Sequence, residues 1–292
     1  SPDAAGSAPS TPAFTPAATP TIVAPGAYDK PSTGGVTLAP TASGPLDGKV
    51  IAVDPGHNTV PIYRINHQGI RYYGAGVRDC QQEGSTALDK KTPEATIVWE
   101  IAQHLVPILR ERGATVVLSR PDDNGIGPCN DERAQIANRA NANLLLSIHG
   151  DGSESQKNRG YFVMYSMRML GGPDVENASR QAAYTMVNDL KAHTSIPVSN
   201  YIGTKRDGTF RKDNELGVLN TMKTGPALLV EVGNIRQSDD WAVLSSDAGK
   251  QAFAEGLAAG AQSIVLGTPS PGAPVVTPDP SASPAPSVWP PK

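Results

Sequence analysis

The sequence predicts an α/β fold: a single domain built on a twisted, mostly parallel sheet of about six strands, flanked by helices, with disordered Pro-rich tails at both ends. Three observations predict it. Short apolar, β-branched runs alternate with longer stretches of helical spacing. Three of those runs end directly on ionisable residues: Val50–Asp54 leading into Pro55-Gly56-His57, Leu144–His149 and Ala227–Glu231. The stretch 93–112 carries one apolar stripe at helical spacing. Ligands of open parallel sheets sit beyond the carboxyl ends of the strands. The ends of those three runs are therefore where chemistry is expected.

Residues 1–47 and 268–292 are Pro/Ala/Thr/Ser-rich with few charges, and most of the prolines lie there. Such composition buries too little apolar surface to offset the entropy of ordering. Both are expected to be disordered, leaving 48–267 as the folded domain. Strand one is 49–54. The stretch 58–91 is long, polar and Gly-rich, which in a compact domain marks a functional or mobile loop. A helix follows over 93–112, with Thr92 as N-cap, Pro93 at the first position, Gly113 at the stop, and a kink or break at Pro107. Its stripe is Ile97, Val98, Ile101, Ala102, Leu105, Ile108 and Leu109. Thr115–Ser119 is a strand, 131–142 a helix, Leu144–His149 and Gly160–Tyr165 strands, and 174–192 a helix. Leu216–Leu219 reads as a short strand or a helical turn. Ala227–Val232 is the last strand and 246–265 the closing helix.

The 292 residues carry a net charge of -3 with a hydrophobic fraction of 38%. That balance gives no electrostatic reason to expect nucleic acid or an anionic membrane as partner. No apolar run reaches the roughly 18 residues of a membrane span. The chain starts at Ser1 without a charged or apolar leader, as expected where a signal peptide has been removed or trimmed away. Its two cysteines, Cys80 and Cys129, beside Pro-rich tails, fit an exported protein with one disulfide.

His57 and His149, each following an apolar strand, are the first choices as metal ligands. His67, His104 and His193 keep a structural or solvated reading. Two acidic residues compete for a third position. Glu83 sits in a Gln/Gly/Ser loop, where a solvated carboxylate needs no explanation. Glu94 lies three and four residues before Ile97 and Val98, so it extends the buried stripe and is preferred. Glu231, at another buried strand end, is the candidate general base, with a structural ion pair as the alternative.

These residues resemble the zinc-dependent N-acetylmuramoyl-L-alanine amidases of the type-3 amidase family, over essentially all of 48–267. The matching pieces, in order, are Asp54–His57; Glu94 opening a helix that ends at Gly113; Thr115–Arg120; Arg133, Ala137 and Asn138; Ser147–His149; Gly160-Tyr161; Arg211 with Leu216–Leu219; and Pro226–Glu231. The family spacing back from Gly113 selects Glu94 over Glu83. The resemblance implies one zinc ion on His57, Glu94 and His149, a catalytic Glu231, and Arg211 and Asn138 as substrate contacts. It further implies hydrolysis of the bond between the lactyl group of N-acetylmuramic acid and L-alanine. Peptidoglycan or muramyl-peptide fragments are then the partners of a monomeric protein of the periplasm or cell wall. The chain departs from the family at Asn58-Thr59 (commonly Gly-Gly), at Asp151 (usually Asn) and in the length of 58–91. A non-catalytic wall-binding protein and a zinc carboxypeptidase on a related scaffold are the rival readings.

Overall fold

The computed structural model describes residues 34–66, 69–73, 76–203, 205–268, 271–282 and 284. The main sheet has seven strands: β1 (Val36–Leu38), β2 (Val50–Pro55), β5 (Thr115–Leu118), β6 (Leu144–Asp151), β7 (Phe162–Tyr165), β8 (Thr209–Arg211) and β9 (Ala227–Asn234). Their spatial order is β1-β5-β2-β6-β9-β7-β8. The four central strands are mutually parallel, β1 runs antiparallel on one edge, and the parallel pair β7–β8 joins β9 antiparallel on the other. β3 (Ile70–Tyr72) and β4 (Gly76–Arg78) form a separate antiparallel hairpin within the long loop. The helices are α1 (Glu94–Glu111), α2 (Asn130–Arg139), α3 (Pro173–His193), α4 (Gly217–Asn220), α5 (Ser238–Leu244) and α6 (Asp247–Leu266).

Side-chain alternation along the strands divides the core. Ile51, Val53, Leu144, Leu146, Ile148, Leu228 and Val230 face one layer with α1, α3 and α6. Ala52, Leu145, Ala227 and Leu229 face the other, with α2 and α4. This alternation puts Asp54, Ser147, His149 and Glu231 on the α2/α4 side, and the β6–β9 register sets His149 directly opposite Glu231.

Several expectations are corrected. The folded chain begins by residue 34, not 48: β1 pairs with β5, Thr41 N and Leu46 N donate to the carbonyls of Arg110 and Arg112, and Leu46 is buried. At the other end, 271–282 lies along α3. Val276 N donates to Gln181 Oε1 (2.8 Å), Arg180 Nη1 to Thr277 O (2.7 Å) and Asp279 N to Asn177 Oδ1 (2.7 Å). Pro-rich chain has no ladder to offer, but its backbone groups are met by side chains of the exposed helix face. Residues 1–33 and 285–292 lie outside the described residues, as does His67. Helix α1 runs past Pro107 without a break, and Thr92 does not cap it: Pro93 takes that position, while the Thr92 hydroxyl donates to Asp89. Leu216–Leu219 resolves as the helical turn α4.

Cys80 and Cys129 are joined, bridging residues 49 apart and fastening the segment after the hairpin to the start of α2. Reduction, or the Cys80→Ala/Cys129→Ala pair, is expected to cost about 4 kcal/mol on the chain-entropy model. Thermal melts with and without reductant measure it, and equal melting points would refute the contribution.

Candidate metal centre

Each candidate ligand arrives by a different local device. Asp54-Pro55-Gly56-His57 leaves β2 in a tight turn, in which Gly56 N donates to Ile148 O (2.9 Å) and His57 adopts a left-handed φ of 57°. A Cβ on Gly56 would run into the His149 ring, so only glycine fits between the two histidines. Glu94 opens α1 and is buried, as its place on the apolar stripe predicts. The β6–β9 register shifts between His149 and Asp151, and at that irregularity Gly150 N donates to Glu94 Oε1 (2.9 Å). Ser85 N donates to the other oxygen (2.8 Å). Both carboxylate oxygens are thus held by backbone.

The three side chains meet. His57 Nε2 is 3.0 Å and His149 Nδ1 3.2 Å from Glu94 Oε1, and the two ring nitrogens are 3.1 Å apart. Their ligand atoms all lie within 4.8 Å of one another. His57 Nδ1 donates to Gln82 O (3.0 Å), which fixes its tautomer and leaves Nε2 with a free lone pair toward the cluster. Burial opposes the charge of Glu94, but the two imidazoles hold its carboxyl well below the ordinary range. Burial likewise depresses His149, whereas Glu94 outweighs burial at His57 and raises it. Glu83 lines a small neighbouring cavity with Asn58 and Thr59, which Glu94 also borders, and does not join the cluster.

Glu231 lies across from His149 in the same cavity, about 460 Å³, and its Oε2 is buried without a hydrogen-bond partner among the described residues. Burial, with Glu94 and Asp151 as neighbours, raises its carboxyl well above the ordinary range. Asp151 also lines the cavity and is raised by burial. A buried carboxyl with a free oxygen beside a nitrogen/oxygen cluster is equipped to carry protons for a reaction on that cluster.

Beneath the site runs a network that no single stretch of sequence shows. Buried Arg133 donates to Asp54 Oδ1 (2.7 Å), Pro55 O (2.9 Å) and His57 O (2.8 Å). Ser147 donates to the other Asp54 oxygen (2.7 Å). Arg120, stacked over Trp99, donates to Pro55 O (2.9 Å) and Ala95 O (2.6 Å), and is pulled down to about 10 by burial and by Arg133. Two arginines therefore grip the turn that carries His57, and Arg120 also holds the first turn of α1 behind Glu94.

Arg211 and Asn138, expected as substrate contacts, stand outside the lining of this cavity. Arg211 is paired with Asp213 (2.7 Å) and with Asp279 (3.1 Å). Asn138 donates to Thr221 O (2.9 Å) and accepts from Lys223 N (2.8 Å), tying α2 to the segment after α4. His104 meets Asp247 (3.1 Å), and His193 Nδ1 donates to Asp189 O (2.8 Å), so both keep structural roles.

Comparison with known proteins gives one family: the N-acetylmuramoyl-L-alanine amidase model matches residues 51–263. The N-acetylmuramoyl-L-alanine amidase Rv3717 of Mycobacterium tuberculosis is 36% identical over 219 residues, 74% of this chain and 86% of that one. The amidase CwlM of the same organism is 26% identical over 77% of this chain, which spans about half (47%) of that relative. Among solved structures, the N-acetylmuramyl-L-alanine amidase Ami1 of Mycobacterium smegmatis has a TM-score of 0.69 at 31% identity, over 76% of this chain and 99% of that one.

Proposed function

The chain belongs to the N-acetylmuramoyl-L-alanine amidase family, and from that premise we propose that it uses one zinc ion, held by His57, Glu94 and His149, to hydrolyse the amide between the lactyl group of N-acetylmuramic acid and L-alanine. One observation carries the reading: two imidazole nitrogens and a carboxylate oxygen converge in a cavity that also holds Glu231. That donor set is what a catalytic zinc takes, three protein ligands with a position left open. When bound, zinc supplies Lewis acidity to the amide carbonyl and to a water, and its charge favours the ionised form of Glu231.

The protein's own groups do the rest. Glu231 takes a proton from water as the water oxygen bonds to the lactyl carbonyl carbon. It returns that proton to the nitrogen of L-alanine as the carbon–nitrogen bond breaks. The products are a glycan carrying a free lactyl carboxylate and a stem peptide with a free amine. Arg133 and Arg120 hold the backbone of His57 and of α1 throughout.

Digestion of muramyl peptides tests the reaction. An amidase frees the L-alanine amine, a carboxypeptidase frees a C-terminal residue, and a binding protein frees neither; either of the last two results would reject the proposal. For the metal, Glu94→Ala is expected to lose zinc while Glu83→Ala keeps it, read as metal content after dialysis. The reverse pattern would reject Glu94 as ligand. The proposal extends to an exported monomer, supported by the Cys80–Cys129 bond, of a kind that persists in oxidising compartments. Among the described residues no helix is long and apolar enough to cross a membrane.

A further inference from the structure

The cavity lining is electrically mixed. Glu94, Asp151 and Glu231 stand beside the histidines, and the lining also takes in Arg78 of β4 with Lys212 and Glu215 from the segment between β8 and α4. Glu215 bridges the two cations, with Oε1 3.3 Å from Arg78 Nη2 and Oε2 3.3 Å from Lys212 Nζ.

The backbone under these side chains is held by packing, not by the ion pairs. Tyr72 is buried, and its hydroxyl hydrogen lies within reach of the carbonyls of Asp79 (2.8 Å) and Cys80 (2.7 Å). Its ring presses on Gly217, where a Cβ would come within 2.7 Å of it. Cys80 is bonded to Cys129. The ion pairs are another matter. All three side chains are a third or more exposed, both contacts are long, and Glu215 sits at φ +71°, which residues other than glycine adopt rarely. Exposed pairs of this kind contribute little net free energy. Glu215 is therefore a weakly held occupant between two cations, Arg78 and Lys212.

We propose that Arg78 and Lys212 form a carboxylate subsite for the stem peptide, that it selects peptides whose second residue carries a free α-carboxylate, and that Glu215 fills it in the unliganded enzyme. The inference rests on the amidase reading. Beyond L-alanine a stem peptide continues with D-glutamate linked through its γ-carboxyl, so its α-carboxyl is free as an anion or capped as an amide. Arg78 offers a guanidinium suited to bidentate contact with such an anion, and Lys212 an ammonium point charge.

The experiment compares N-acetylmuramoyl-L-alanyl-D-isoglutamate with the D-isoglutamine form as substrates of the zinc-loaded full chain. Wild type is expected to prefer the carboxylate form about tenfold, mainly through KM. In Arg78→Ala/Lys212→Ala the preference collapses to about one; in Arg78→Lys/Lys212→Arg it persists; in Glu215→Gln it grows. Melting points verify that each variant folds. No preference in wild type, or an undiminished preference in the double alanine variant, would overturn the subsite. Cleavage of neither form would overturn the amidase reading instead, and calorimetric binding of the same two compounds would still decide the subsite.

Discussion

Glu231→Gln is expected to lower kcat on muramyl peptides by about 100- to 10,000-fold, the range a positioned acid–base group supplies, with zinc content unchanged. Glutamine keeps the volume and one acceptor but cannot carry the proton. Its carboxyl is raised by burial and by Glu94 and Asp151, and it must ionise before it can accept a proton. Wild-type kcat/KM should therefore rise with pH through an acid limb as Glu231 ionises. The residual activity of Glu231→Gln should lack that limb while metal content, measured at each pH, stays level. A variant with wild-type turnover would remove Glu231 from the reaction.

The largest effect on stability is expected at Asp54. Asp54→Ala leaves Arg133 buried without its carboxylate, and breaking a buried pair in this way costs about 3–5 kcal/mol. In a domain of this size that lowers the melting point by roughly 6–20 °C. The sign with pH follows from the Asp54 carboxyl. Burial works to raise it, but Arg133, Ser119 and Ser147 outweigh burial and hold it below its ordinary value. Its contribution is thus complete above about pH 3.9 and is lost as pH falls through the folded value. Asp54→Asn should flatten the acid side of the stability curve. Unfolding free energies within 1 kcal/mol of wild type for Asp54→Ala would show that the network is dispensable.

The meeting of His57, Glu94 and His149 was legible because its signals are local. Period-two alternation in β6 and β9 sets His149 and Glu231 on one face, and period-3.6 spacing in α1 turns Glu94 inward while leaving Glu83 in its loop. The central strands were legible for the same reason: they are buried on both faces and read as continuous apolar runs. What escaped notice is short or distant. β1, β8 and the β3–β4 hairpin have three residues per strand, too few to show a period. The Arg133–Asp54 pair joins positions 79 apart, and nothing near Asp54 announces a cation. Arg211 and Asn138 carry the right residue types in the right order, yet order does not say which way a side chain turns; Arg211 turns to Asp213 and the C-terminal segment. That segment looks featureless because the hydrogen bonds holding it belong to α3.

β1 occupies the outer hydrogen-bonding row of β5, along Val36–Leu118, Thr37–Val117 and Leu38–Val116. A protein cut to begin at residue 48 would keep His57, Glu94, His149 and Glu231 and yet expose that row, a bare template for another chain. Such a shortened protein is expected to retain hydrolysis per folded molecule but to self-associate as its concentration rises, as light scattering would reveal.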